Sequence, residues 1–469
     1  MKIENGQATD LKIAYIGGGS RGWAWRLMAD LAAEKMLAGT INLYDIDFEA
    51  AKKNETIGNR LSARVDVAGQ WEYKAIPSLE EALKGADFII ISIMPGTFDE
   101  MDSDVHYPEK YDIWQPVGDT AGPGGLVRSL RTIPMYVTIA NAIKDFAPNA
   151  WVINYTNPMS MCIRVLYDVF PEIKAFGCCH EVFGTQTLLK DIYQEKSGSD
   201  KLTREDIDVN VIGINHFTWF TSASTGGIDL FPVFGEYADK HYEEGFTKGD
   251  QSWLNKSFKS GHRVKFDLFK RYGYIAAAGD RHLVEFLPSN FYLSSPEKVN
   301  EWMYQLTTVN KRKSDLADRL SKSSKLVLGE EEVDLSPSGE EGVQLIKALC
   351  GLGRFYSNVN IPNSNLQISN LPKSAVVETN AVFEKDCIRP VFAGGVPDNV
   401  LELMMPHAEN QDYILESGLH YNFDMALKAL INDPNTKSKI NEKQAEQMLK
   451  GMIANTIKYL PSSWEKYII

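Results

Sequence analysis

The sequence predicts an α/β protein: a doubly wound parallel sheet followed by a second, α+β domain. Three observations predict it. Short apolar β-type runs alternate with amphipathic helical stretches through the first half of the chain. Those runs are almost continuously apolar, as strands covered on both faces are. Beyond about residue 217 the alternation gives way to aromatics, charged helices and one isolated strand-like stretch.

The elements follow in order. KIAYIG (12–17), INLYDI (41–46), DFIIISI (87–93) and AWVINYT (150–156) read as buried parallel strands. Helices are expected around 23–37, 48–63 and 131–147. IKAFGCC (173–179) and DVNVIGI (208–214) read as further strands, with a helix over 184–196 between them. The second part carries helical patterns over 295–323, 340–352, 414–432 and 441–459, and the strand-like SAVVETNAV (374–382). The polar stretch 321–342 reads as a surface loop. No internal repeat is visible. The expected division is 1–205 for the first domain and 206–469 for the second, with one cleft shared between them.

Composition narrows the function classes. The chain has 469 residues, 44% hydrophobic and 24% charged, enough for two packed domains. Net charge is −13 and no Lys/Arg-rich run stands out, so nucleic acid is not an expected partner. No segment reaches roughly 18 uninterrupted apolar residues, so no membrane span is expected. Five cysteines, an odd number, do not read as a disulfide framework. With no signal-type apolar region ahead of the first strand, a cytoplasmic protein is expected.

Gly17, Gly19 and Gly22 form a Gly-x-Gly-x-x-Gly turn directly after strand 12–17 and before a helix. Such a turn lets the backbone approach a pyrophosphate and sets a helix N-terminus, with its unpaired N–H groups, against it. Asp45 lies 23 residues past Gly22, at the end of the next strand. A carboxylate there can accept both ribose hydroxyls and repels a 2′-phosphate, which favours NAD over NADP. Asp47 is the rival for that role. The first domain is therefore expected to be Rossmann-type and NAD-binding.

Cys178-Cys179-His180 and Asn215-His216 fall at the ends of two predicted strands. Ligands of open α/β sheets sit at such ends, and thiolate plus imidazole suits a transition metal. Neither a CxxC pair nor an HExxH motif is present, and a buried cysteine is as readily a small hydrophobe. Gly118-Asp119-Thr120-Ala121-Gly122-Pro123-Gly124-Gly125 is dense in turn formers and precedes a helix beginning near Leu126. Asp119 either reaches ligand hydroxyls from this loop or serves the turn. Asn154-Tyr155-Thr156-Asn157-Pro158 ends another strand, where the two amides can read hydroxyls or enter an Asx-turn.

In this order, these motifs resemble glycoside hydrolase family 4, the NAD- and metal-dependent glycosidases. Arg131-Thr132-Ile133-Pro134, Gly213-Ile214-Asn215-His216-Phe217, Gly279-Asp280-Arg281-His282 and Glu285-Phe286-Leu287-Pro288 belong to the same pattern. It runs over roughly 11 to 430. The form Cys179-His180-Glu181-Val182 resembles members acting on α-linked uronic acids, the α-galacturonidases in particular.

The resemblance implies Cys179 and His216 as ligands of a divalent metal such as Mn²⁺, and Asp119 and Asn157 as substrate contacts. It implies Asp280 as the proton-abstracting base, with Tyr274 as the rival. Cys178 leaves open which of two adjacent cysteines ligates; in a strand only one can face the site. A uronate carboxylate calls for a cation or several amide donors; arginine is preferred, and Arg281 is the candidate, unless it pairs with Glu285 four residues on. The implied reaction is hydrolysis by transient oxidation, elimination and addition, with NAD recycled. The expected substrate is a small α-linked uronide or oligosaccharide, and the expected assembly a homo-oligomer, dimer or tetramer. An α-glucuronidase, another α-glycosidase of the family, or an NAD-dependent sugar-acid dehydrogenase with net oxidation stays open beside it.

Overall fold

The computed structural model describes residues 1–198, 200–246 and 260–468. Its strands are β1 (Lys2–Glu4), β2 (Gln7–Ile16), β3 (Leu37–Tyr44), β4 (Gln70–Ala75), β5 (Phe88–Ile91), β6 (Trp151–Asn154) and β7 (Lys174–Gly177) in the first half. In the second half they are β8 (Asp208–Ile214), β9 (Phe217–Thr225), β10 (Ile228–Asp229), β11 (Ile275–Ala276), β12 (Phe355–Pro362), β13 (Val376–Glu384) and β14 (Cys387–Pro390).

The order β4-β3-β2-β5-β6-β7 is parallel throughout. This is a doubly wound sheet with its switch point between β2 and β5, the Rossmann-type arrangement expected. Side chains alternate across it as strand geometry requires. Ile13 and Tyr15 of β2 and Phe88 and Ile90 of β5 pack into one apolar layer; Ala14, Ile16, Ile89 and Ile91 pack into the other.

The second half does not build a separate sheet. Its strand β12 pairs antiparallel with β7, and β13, β8, β9 and β10 continue outward, all antiparallel. β12 thereby covers the edge that β7 would otherwise expose. β4, β9 and β12 were not read from the sequence.

Several helices end elsewhere than their patterns suggest. The helix expected over 131–147 begins at Gly122, because Pro123 suits the first turn of a helix, and runs to Phe146. The stretch expected over 295–323 is two helices, Pro296–Glu301 and Val309–Leu328; Thr308 caps the second through Lys311 N. The surface loop expected over 321–342 is helical as far as Leu328, since Ser323 and Leu326 are buried, and Gly329 ends the helix at φ 78°. The pattern over 414–432 is likewise split, at Tyr421 and Asn422, between helices Asp398–His420 and Phe423–Asn432. No described helix is long and apolar enough to cross a membrane.

Candidate active site

The glycine turn leaves β2 at the carboxyl edge of the parallel strands. Gly17 sits at φ 91°, and a Cβ there would lie 2.0 Å from the Ser92 carbonyl oxygen. Gly17 N and Gly18 N both donate to Tyr44 O at 2.9 Å, and Gly19 N donates to Asp45 Oδ2 at 2.9 Å. Gly22 then opens the helix Trp23–Ala33, with no side-chain cap and no acidic residue in the first turn. Its N-terminus is therefore free to receive an anion. The two aspartates divide their roles. Asp47 caps the helix Phe48–Ser62 through Ala50 N and pairs with Arg21 at 3.1 Å; Asp45 lies against the turn. Burial raises the Asp45 carboxyl, opposed by the Asp47 and Gly19 N–H groups. This turn and carboxylate fit a dinucleotide.

Three potential ligands converge near the junction of the two halves. Ligand atoms of Asp119, His216 and His282 lie within 4.8 Å of one another. His216 and its neighbour Asn215 form the tight link between β8 and β9, and His216 adopts φ 66°. A non-glycine residue in that conformation costs roughly 1–2 kcal/mol. Asp119 ends the loop before helix Gly122–Phe146, and Thr120 ties the first two together. Thr120 Oγ1 lies 2.7 Å from Asp119 Oδ1, to which it donates, and 2.9 Å from His216 Nδ1. That bond occupies Nδ1 and leaves Nε2 of His216 for a metal. The His282 ring faces that of His216 at 3.8 Å between centroids. One carboxylate and two imidazoles fit a divalent ion.

Charge around this group is balanced by burial and arginine. Burial would raise the Asp119 carboxyl, but Arg128, then His282, His216 and Arg312, bring it down to about 2. Burial pushes the His216 imidazolium down to about 3, with His282 adding to the effect. Glu181 accepts from Gly279 N at 2.7 Å and lies 3.6 Å from His282 Nε2. Its carboxyl is held far below the usual range, against burial, by His282, His216 and His180.

The two cysteines follow β7 and face opposite ways. Cys178 packs in the apolar layer of Ile13 and Tyr15, Cys179 in that of Ala14 and Ile16. Cys179 is therefore the one on the Asn215 side: its thiol contacts the Asn215 side chain, although it lies outside the three-residue group. Burial pushes both thiols up, helped by Glu340 for Cys178 and Glu378 for Cys179. Glu378 is buried, accepts from Asn215 and Asn358, and is itself pushed up to about 7 by burial.

A cavity of about 460 Å³ opens from His282 and is lined by Asp280, Arg281, Lys265 and His180, among others. Asp280 Oδ1 lies 3.2 Å from Lys265 Nζ, and Asp280 Oδ2 accepts from Val264 N at 3.3 Å. Arg281 donates to Pro116 O at 3.2 Å and to Thr307 Oγ1. Burial lowers its guanidinium to about 10. Tyr274 packs against the apolar cluster around Trp219 and is not among the residues lining this cavity. Asn157 O accepts from Arg128 Nε at 3.0 Å, while its buried Oδ1 has no partner among the described residues. The Asn154 amide is spent internally, on Tyr136 and Thr156.

His282, Glu181 and Lys265 had no role in the sequence reading. His282 and Glu181 stood inside the family's motifs without a role of their own, and Lys265 read as an ordinary lysine of the amphipathic helix Arg263–Tyr272.

Comparison with known proteins agrees with this geometry. Residues 12–195 match the family 4 glycosyl hydrolases and residues 211–436 the C-terminal domain of the same family. An α-galacturonidase of Lachnoclostridium phytofermentans is 60% identical over 464 residues, covering 99% of this chain and 100% of the relative. One of Bacillus subtilis is 49% identical over 94% of this chain and 97% of its own. The crystal structure of Bacillus subtilis LplD, 49% identical, superposes with a TM-score of 0.90 over 95% of this chain and 100% of that one. A 6-phospho-α-glucosidase from gut microorganisms, solved with NAD and Mn²⁺, has the same fold at 20% identity, TM-score 0.79, over 96% and 99% of the two chains. The chain belongs to glycoside hydrolase family 4 and is a glycoside hydrolase.

Proposed function

We propose that this enzyme hydrolyses α-linked galacturonides in the cytoplasm, using NAD and a divalent metal, Mn²⁺ in the first instance, and acting as a homo-oligomer. The observation that carries the reading is full-length identity of 60% with a relative named α-galacturonidase. The convergence of Asp119, His216 and His282 beside the cavity supports it.

In this reading residues 1–205 carry the dinucleotide and 206–469 the substrate side of the cleft. The Gly17–Gly22 turn and Asp45 hold the dinucleotide. The metal's donors are His216 and the Cys179 sulfur, with Asp119 and His282 converging on the same imidazole. Bound NAD supplies a reversible hydride acceptor, and the bound metal a Lewis acid that stabilises developing negative charge on the sugar oxygens. Asp280 is the proton acceptor at the sugar, its charge balanced by Lys265 at 3.2 Å; Tyr274 is the alternative acceptor. The free Oδ1 of Asn157 receives a substrate hydroxyl. Arg281, buried in the cavity wall, faces the uronate carboxylate.

The test is a panel of nitrophenyl α- and β-glycosides and uronides, assayed with NAD, Mn²⁺ and a thiol reductant. The α-galacturonide should be the best substrate, with no NADH accumulating. Arg281→Met should lower kcat/KM far more on that substrate than on the α-galactoside. NADH formed in proportion to product, or a preference for the neutral sugar, sinks the proposal.

A further inference from the structure

The helix Val309–Leu328 comes from the second half of the chain but packs against the first. Arg312 and Arg319 are seven residues apart, so they share one face and stand about 10.5 Å apart along the axis. Arg312 Nη2 donates to Val117 O at 3.3 Å, and its charge helps lower the Asp119 carboxyl. Arg319 reaches the other end of the cleft. Its Nη1 would stand 3.8 Å from a Cβ built on Gly22, which sits at φ 130° at the start of the helix Trp23–Ala33.

Of the other cations on this helix, three lysines and Arg312 have partners, and Lys325, six residues past Arg319, stands on a different face. Lys311, Lys313 and Lys322 pair with Asp315, Asp99 and Glu331 at 2.7, 2.6 and 3.3 Å. Arg319 is exposed and makes no hydrogen bond or ion pair among the described residues. Within the glycine turn the one cation, Arg21, is already paired, with Asp47 at 3.1 Å, and the Asp45 carboxylate sits 2.9 Å from Gly19 N. A pyrophosphate brings two negative charges to a place that offers backbone N–H groups, a helix dipole of about half a charge and a neighbouring carboxylate.

We propose that Arg319 supplies the cation for the dinucleotide's pyrophosphate, so that the second half of the chain completes the cofactor site that the first half begins. The proposal rests on the reading that this enzyme binds NAD. A guanidinium suits the task because its fork meets two phosphate oxygens at once. The exposure of Arg319 also makes the contact sensitive to salt.

The experiment titrates NAD, ADP and adenosine into metal-free protein, with calorimetry for the nucleotides and ligand-observed NMR for adenosine. Wild type, Arg319→Ala, Arg319→Lys and Lys325→Ala are compared. Arg319→Ala should weaken NAD and ADP by about tenfold, the scale of one charge-assisted hydrogen bond, and leave adenosine unchanged. Arg319→Lys should recover part of the loss, the deficit should shrink at high salt, and Lys325→Ala should match wild type. Unchanged NAD affinity in Arg319→Ala overturns the proposal and leaves the cofactor reading standing. Equal losses on ADP and adenosine overturn it too, because the defect is then not at the phosphates. Wild-type protein that binds neither NAD nor ADP removes the cofactor reading and this role with it.

Discussion

Lys265 and Asp280 form an ion pair at 3.2 Å in which the two side chains are 1% and 0% exposed. A buried pair of this kind is costly to break, because the charge left behind has lost its water and gains nothing in return. The residue proposed as proton acceptor is thus also part of the cavity's frame.

Single substitutions will confuse those two roles unless stability is measured alongside rate. Asp280→Asn and Lys265→Met should each destabilise the fold by about 3–5 kcal/mol, the usual cost of stranding one buried charge. The double variant Lys265→Met/Asp280→Asn removes both charges and should recover most of that loss. Denaturant unfolding of the four proteins gives the coupling directly. Additive losses would deny the pair its structural role. A double variant that folds stably and still hydrolyses substrate would show that Asp280 is not the proton acceptor.

The metal group makes a spectroscopic prediction. His216→Ala and His282→Ala should each weaken Mn²⁺ binding by more than the about 10–100-fold that outer-shell partners typically cost. Titration followed by the electron paramagnetic resonance of free Mn²⁺ measures this without turnover. In the Co²⁺-loaded protein, a thiolate-to-metal absorption band should be present, absent in Cys179→Ser and kept in Cys178→Ser. That follows from the opposite orientation of the two cysteines, with Cys178 buried on the far side of the sheet. A band missing in wild type would leave Asp119, His216 and His282 as the protein donors; one that survives Cys179→Ser and is lost in Cys178→Ser would make Cys178 the ligand.

Glu285 gives a prediction in pH. Its Oε1 accepts from Val117 N at 2.7 Å and Gly118 N at 2.8 Å, and so fixes the chain just before Asp119. Burial outweighs those bonds, and Asp119 adds to it, raising the carboxyl from an ordinary 4.5 to about 8. Between those values the folded protein keeps a proton that the unfolded chain has released. Rising pH therefore costs stability across that window, and none further above it. Glu285→Gln keeps an oxygen for the two N–H groups and cannot ionise. Its Tm should match wild type near pH 5 and exceed it increasingly towards pH 8. Parallel Tm curves for the two proteins would mean that Glu285 does not carry a raised carboxyl.

How far the sequence could be read depended on the distance over which each feature is decided. The β2 turn, β5 and β6 are settled locally, by glycine at positions that admit no Cβ and by apolar runs such as Phe88–Ile91, so they were legible in order. Asp119 and His216 were legible as residues at a turn and a strand end. Cys179 was chosen over Cys178 through the family pattern, and the opposite packing of the two side chains favours the same choice. The breaks at Thr308 and Tyr421 were missed because both flanks keep a helical period, and only caps and a positive φ mark the ends.

The sequence by itself determined the class of sheet, the phosphate turn and the family, because each rests on residues close together in the chain or on motifs in a set order. Only the tertiary structure decided that β12 seats on β7 and joins both halves into one sheet. Only the fold could bring His282 onto His216, Glu285 under Val117 and Arg319 beside Gly22. The last two bridge 168 and 297 residues of chain. No local propensity carries such a contact. It exists because burying apolar strand and helix faces stabilises one arrangement of the backbone, and these charged heads are placed by that burial rather than by their own sequence neighbours.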